Sequence, residues 1–114
     1  MDDLEFMGNL CRVFGDATRL SIFDTLMMGV HCNCEISELT GLSDNLISHH
    51  LKVLQEAKLI QSKRDEKDAR WIYYFVNQEE IRLVQDRAQA FFDLNRIVKT
   101  DPSCGPKNNK MGDV

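Results

Sequence analysis

The sequence predicts a single mainly α domain carrying one β-hairpin, and three observations predict it. The chain has 114 residues, 43% of them apolar, which suits one domain with one modest core. Apolar residues recur every three or four positions through most of its length, the helical period. Between Lys58 and Val76 that period gives way to two runs of β-branched and aromatic residues around a charged connector, the pattern of paired strands. Only 6 Gly and 2 Pro exclude collagen-like and Pro/Gly-rich classes. The opening Met-Asp-Asp-Leu-Glu-Phe is acidic and no secretory signal, and no stretch approaches the roughly 18 apolar residues of a membrane span. A soluble, cytoplasmic protein without a membrane partner is expected.

The first helix is predicted over 3–14, with Leu4, Met7, Cys11 and Phe14 at helical spacing and Phe6, Leu10 and Val13 on a second side. A terminal helix apolar on two sides has two surfaces to meet, its own domain and a partner subunit. Asp16 suits the N-cap of a second helix, with Leu20, Phe23 and Leu26 or Met27 inward and Gly29 at its end. A short helix at about 35–40 turns Ile36 and Leu39 inward. Gly41 and Leu42 then make a tight connection, and Ser43 caps a longer helix reaching about Ala57. Helix, short Gly-containing turn, helix is the helix-turn-helix outline. The strands are expected at Lys58–Arg64 and Ala69–Val76, around Asp65-Glu66-Lys67-Asp68. Ile81, Val84, Ala88, Phe91 and Val98 mark a last helix of about 79–98, interrupted only at Asn95. Four helices, a hairpin and a helix make a winged helix-turn-helix, expected to dimerise through its first and last helices. Residues 1–99 are expected to form one domain, whose helix-turn-helix and paired terminal helices would suit DNA binding and dimerisation, and the Pro-, Gly- and Asn-bearing tail at 100–114 is expected to be flexible.

The net charge of −4 is unevenly spread. Residues 1–42 carry seven acids and two bases, whereas 43–76 carry six bases and five acids, so the middle is free to meet a polyanion. In the helix from Ser43, Ile47, Leu51 and Leu54 point to the core, while Asn45, Ser48, His49 and Lys52 share another side. Short hydrogen-bonding side chains near the N-terminus are what a recognition helix brings to the major groove. Ser43 and the free N–H groups behind it suit a phosphate. An ordinary solvated face is the plainer reading; the preceding short helix, the Gly turn and the basic hairpin favour DNA. Lys63, Arg64 and Arg70 lie near the hairpin tip and are candidate backbone contacts, against the alternative of a solubilising loop diluted by Asp65, Glu66 and Asp68. The partners expected are double-stranded operator DNA and a second copy of the chain.

Four cysteines without an export signal read as free thiols or metal ligands rather than disulfides. Cys32 and Cys34 flank Asn33 just before the short helix. Two helical residues two apart lie about 200° round the axis, so sharing an ion demands a non-helical backbone there. Metal or metalloid binding, redox sensing and structural packing are the three readings of the pair. The helix start would lower a thiol pKa. A third ligand is sought first in Cys104 on the tail, then in Cys11, whose place on the first helix's apolar stripe argues for core packing, then in His31. No Cys-x-x-Cys, Gly-rich loop or Cys/His catalytic pairing appears, so no enzyme is expected. A protein-interaction module on the same fold is the remaining class.

Phe14-Gly15-Asp16-Ala17-Thr18-Arg19-Leu20, His31-Cys32-Asn33-Cys34-Glu35-Ile36, Ile47-Ser48-His49-His50-Leu51-Lys52-Val53-Leu54, Ala57-Lys58-Leu59-Ile60 and Arg70-Trp71-Ile72-Tyr73-Tyr74 together resemble the ArsR/SmtB family of metal-responsive repressors, over about residues 4–98. The resemblance implies a homodimeric repressor that leaves its operator when an ion binds. The cysteine segment is similar to the Leu-Cys-Val-Cys-Asp-Leu-Cys box of the arsenite and antimonite sensors: Cys32 and Cys34 match its first two cysteines, and Ser37 stands at the third. Members recruit a cysteine from elsewhere in the chain, which keeps Cys104 and Cys11 open. The family's zinc site on the last helix needs histidines, and none follows His50. As(III) or Sb(III) is thus the implied inducer, with Cd(II), Pb(II) or Zn(II) as alternatives at the thiols. A thiol redox or persulfide sensor is the alternative within the family.

Overall fold

The computed structural model describes residues 2–106. Its elements are α1 (Asp3–Phe14), α2 (Ala17–Met27), β1 (His31–Cys32), α3 (Asn33–Thr40), α4 (Asp44–Glu56), β2 (Ile60–Arg64), β3 (Ile72–Val76), α5 (Gln78–Phe91) and a 3-10 turn at Leu94–Arg96. The helix starts follow from short polar side chains that accept from otherwise unpaired N–H groups. Asp16 Oδ1 accepts from Thr18 and Arg19 at 2.9 and 3.1 Å. Ser43 Oγ accepts from Leu46 and Asn77 Oδ1 from Glu80. Gly41 ends α3 with φ +74 and its N–H on the Ser37 carbonyl, a left-handed turn that aims the chain straight into α4.

Lys58 closes α4 in the same left-handed region, at φ +65. Its N–H meets the Gln55 carbonyl, and the Leu59 N–H meets the Leu54 carbonyl, a Schellman motif without the usual glycine. Leu59, thereby turned inward, is buried.

The core is one cluster. Ile22 and Leu26 of α2, Ile36 of α3 and Ile47, Leu51 and Leu54 of α4 meet Leu59 and Ile60 at the start of the hairpin. Burying each such side chain stabilises the fold by about 1.5–3 kcal/mol. Ile47, Leu51 and Leu54 thus face inward as their spacing requires, and the antiparallel hairpin pairs Ile60 with Val76 through Arg64 with Ile72.

Five expectations need correction. A third strand exists: β1 pairs antiparallel with β3, His31 opposite Tyr74 and Cys32 opposite Tyr73, giving the order β1-β3-β2. In α2 the inward line is Ile22–Leu26, and Leu20 and Met27 are exposed; α2 is apolar on most sides, so packing and not spacing chooses its phase. Leu39 is 64% exposed, because an eight-residue helix has room for one inward position, which Ile36 takes. The last helix stops at Phe91 rather than near 98. Asp93 turns extended and accepts from the Asn95 N–H, starting the 3-10 turn, as a short acidic side chain does when it competes for backbone donors. Cys11 is exposed and not core packing, since α1 turns Phe6, Met7, Leu10, Val13 and Phe14 inward.

α1 and α5 lie together: the Arg87 guanidinium sits 4.7 Å over the Phe6 ring and 3.6 Å from Asp3. Residues 97–106 hold no helix or strand, and 107–114, the rest of the expected tail, lie outside the described residues. Among the described residues no helix is long and apolar enough to cross a membrane.

Candidate functional site

α4 presents two chemically different sides. Its back holds His50, only 4% exposed, with Nδ1 3.4 Å from Nη1 of Arg19. A guanidinium has only donors, so Nδ1 accepts and the ring proton rests on Nε2. Burial pushes the His50 pKa down, opposed by Asp16 and assisted by the Arg19 and His49 charges, so the ring is held neutral. Arg19 also donates to the Val13 carbonyl at 2.7 Å, tying the end of α1 and the start of α2 to α4. His50 lies beside Leu51 on the inward arc of α4, whereas His49 lies on the outer side. The outer side carries Asn45, Ser48, His49 and Lys52, all exposed, behind the Ser43 cap. Asp44, also exposed, favours the positive helix start.

The hairpin tip is an ordered loop. Asp65 Oδ1 accepts from the Lys67 and Asp68 N–H groups, and Tyr73 donates its hydroxyl to Asp65 Oδ2 at 2.9 Å. The Lys67 N–H bond, then the Tyr73 hydroxyl, hold the Asp65 carboxyl below the usual range. The three candidate cations are exposed but differ in what they hold. Arg70 grips Asp68 in a fork at 2.9 and 2.7 Å, and Lys63 stands 3.8 Å from Glu66. Arg64 donates to the Ala69 carbonyl, a neutral acceptor that leaves its charge for a polyanion.

Sγ of Cys32 and Sγ of Cys34 are 2.9 Å apart. Only half of the expected backbone requirement applies: Cys32 is extended, at φ −86 and ψ 168, whereas Cys34 already lies in the first turn of α3. The extended N-cap swings the first sulfur back over the second. β1 pairing buries Cys32, its N–H donates to Glu35 Oε1 at 3.0 Å, and Cys34 is exposed. The Cys32 thiol is pushed up to about 11, chiefly by burial and then by the neighbouring thiol. Desolvation therefore outweighs the helix start that was expected to lower it.

His31 keeps both ring nitrogens buried without a hydrogen-bond partner among the described residues; its Nδ1 is 3.8 Å from Glu35 Oε2. Cys104 is exposed in the segment past the 3-10 turn. No group of three or more His, Cys, Asp or Glu gathers to hold a metal ion among the described residues. Ser37, at the box's third position, donates to the Leu42 carbonyl at 2.8 Å and braces the turn into α4.

One contact was not foreseen. Asn33, between the two cysteines, donates Nδ2–H to Ser48 Oγ on α4 at 3.0 Å. The partners are fifteen positions apart, and no periodicity brings them together.

A sequence profile for bacterial regulatory proteins of the arsR family matches residues 16–62, from the Asp16 cap through the helix-turn-helix into β2. The chain is similar to the arsenical resistance operon repressor of Staphylococcus aureus, 30% identical over 107 residues that cover 94% of each protein. Among solved structures it resembles HlyU from Vibrio cholerae, with TM-score 0.63 at 18% identity over 80% of this chain and 96% of that one. It also resembles the homodimeric winged helix-turn-helix DNA-binding domain Mb0332 from Mycobacterium bovis, with TM-score 0.61 at 22% identity over 82% and 83%. The fold is a winged helix-turn-helix, and with a relative this similar over nearly the whole length the chain belongs to the arsR family of bacterial regulatory proteins.

Proposed function

We propose that this protein is a transcriptional repressor that leaves its operator when a thiophilic ion bonds to Cys32 and Cys34, with arsenite as the favoured inducer. The observation that carries this reading is the 2.9 Å approach of the two sulfurs at the start of α3, the helix that supports α4. Thiolates are the ligands of choice for soft ions. Arsenous acid, As(OH)₃, exchanges one hydroxide for each thiol: an As–S bond forms, an As–O bond breaks, and the thiol proton leaves in a water molecule. Arsenic stays trivalent, so no oxidant is needed. The name of the staphylococcal relative supports the choice of arsenite over the other ions. Antimonite fits the same chemistry, and cadmium, lead or zinc are weaker alternatives. The third ligand is sought in Cys104, then Cys11, then His31, from the same or the partner subunit.

In this reading Asn45, Ser48, His49 and Lys52 read base edges, Ser43 and the α4 N-terminus hold a phosphate, and Lys63, Arg64 and Arg70 touch the backbone from the wing. Two copies joined through α1 and α5 set their α4 helices about 34 Å apart on a palindromic site. Exposed Leu4, Phe92, Leu94, Ile97 and Val98 supply apolar surface for that contact. Residues 1–99 carry these activities, in the cytoplasm where the operator is. A redox or persulfide switch would use the same close sulfurs, and release by oxidant or sulfide without a bound ion would mark it.

The test is an operator fragment selected by the metal-free protein and titrated with and without arsenite. Coupling of this kind weakens DNA binding roughly 5- to 150-fold. Unchanged affinity at saturating arsenite removes the proposed switch. Arsenic X-ray absorption on Cys11→Ser, Cys32→Ser, Cys34→Ser and Cys104→Ser counts and assigns the sulfurs.

A further inference from the structure

We propose that Asn33 is the positioning residue that transmits the state of the thiol pair to the reading face, through its hydrogen bond to Ser48. This rests on the arsenite-release reading above and names how that release is carried. Three observations converge on it. The bond joins the first residue of α3 directly to an exposed side chain on the outer side of α4. Asn33 is also the single residue between Cys32 and Cys34, so its φ and ψ set how the two cysteine backbones face each other. And Oδ1 of Asn33 is buried with no hydrogen-bond partner, so among the described residues the Ser48 bond is what holds that amide.

The geometry has a direct consequence. An ion bonded to both sulfurs would fix their separation and direction, where the two free thiols stand 2.9 Å apart here. Cys32 is held by the Tyr73 pairing and by Glu35, and Cys34 is held by the helix, so a change in how the two sulfurs face each other turns the peptide units on either side of Asn33. The amide then swings off Ser48. In the DNA-competent state Ser48 Oγ accepts from Asn33, which leaves its hydroxyl proton to donate to a base or phosphate acceptor. Without that bond the hydroxyl is free to rotate and the start of α3 no longer props α4.

The test compares wild type, Asn33→Ala, Ser48→Ala and the double variant. Each is measured for operator affinity before and after saturating arsenite, and for arsenic loading by the sulfur-to-arsenic absorption in the ultraviolet. Wild type is expected to load and to lose at least about fivefold in affinity. Asn33→Ala should load equally, yet lose less than about twofold. Ser48→Ala, which changes no residue of the thiol segment itself, should show the same blunted loss relative to its own arsenite-free affinity. The double variant should add nothing to either single one, as two ends of one contact do. If Asn33→Ala and Ser48→Ala load arsenite and release DNA as fully as wild type, Asn33 transmits nothing and the proposal falls while arsenite sensing stands. A wild type that loads arsenite and keeps its operator sinks the sensing reading itself, and the relay with it. Should Asn33→Ala fail to load, Ser48→Ala alone decides.

Discussion

The body around α2, α3 and α4 and the flank formed by α1, α5 and the segment after it are built on opposite plans. In the body, Ile22, Ile36, Ile47 and Leu54 are completely buried. In α5 no residue is buried, and beyond it Phe92, Leu94, Ile97 and Val98 are 63–78% exposed. The body closes its core within one chain, whereas the flank leaves apolar surface that a single chain cannot cover. Exposed large apolar side chains in a cluster mark interaction surface. Folding stability is therefore concentrated where α4 is held, and the exposed apolar surface is concentrated where it is not.

The largest expected effect sharpens this contrast. Ile47→Ala removes a completely buried side chain and should cost about 2–5 kcal/mol in chemical unfolding, enough to consume much of a small domain's stability. Phe92→Ala should change the unfolding free energy of the monomer by under about 0.5 kcal/mol. A comparable loss from both would erase the distinction. Next, Leu94→Ser with Ile97→Ser should shift the proposed dimer toward monomer by at least about tenfold in dissociation constant, read by sedimentation, with the far-ultraviolet spectrum kept. An unchanged sedimentation profile would place assembly elsewhere.

A smaller effect comes from pH. The folded His50 pKa lies below its ordinary value of 6.5 because burial disfavours the charged ring. As pH falls below about 6.5 the unfolded chain binds the proton first. Stability is thus full above that pH and declines as pH descends through the folded value. Asp16, lowered chiefly by the Arg19 N–H bond, acts in a separate window, losing its contribution only below its ordinary 3.8. Urea midpoints between pH 7 and 5 should fall less steeply for His50→Gln than for wild type; parallel curves would show that the buried ring is not the cause. The smallest expected change is at Lys58. Its left-handed backbone costs an ordinary residue about 1 kcal/mol, partly recovered in glycine. Lys58→Gly should raise the unfolding free energy by about 0.5 kcal/mol, and a loss would mean that the lysine side chain contributes more than its backbone costs.

Much of the body was legible because its signals are local. Asp16 and Ser43 announce their helices by capping chemistry, Gly41 announces the turn, and Ile47, Leu51 and Leu54 repeat at one spacing that only one face satisfies. The flank was less legible. Apolar residues continue past Phe91 without continuing the helix, since Asp93 diverts the backbone at a point where no core demands the next turn. β1 is two residues long, too short for any alternation to register. At the thiols, the Cys32–Cys34 pairing could be anticipated from adjacency, but the burial that raises the Cys32 pKa comes from β3, forty positions downstream. The Asn33–Ser48 bond was invisible for the same reason: it belongs to the packing of α3 on α4 and to no pattern within either.

The most direct measurement of the central claim is the affinity of the full chain for its selected operator at saturating arsenite, by fluorescence anisotropy, in wild type and in the Cys32→Ser/Cys34→Ser double variant. Wild type is expected to weaken roughly 5- to 150-fold, and the double variant to hold DNA equally with and without arsenite. Release of the double variant to the same extent as wild type would contradict that claim.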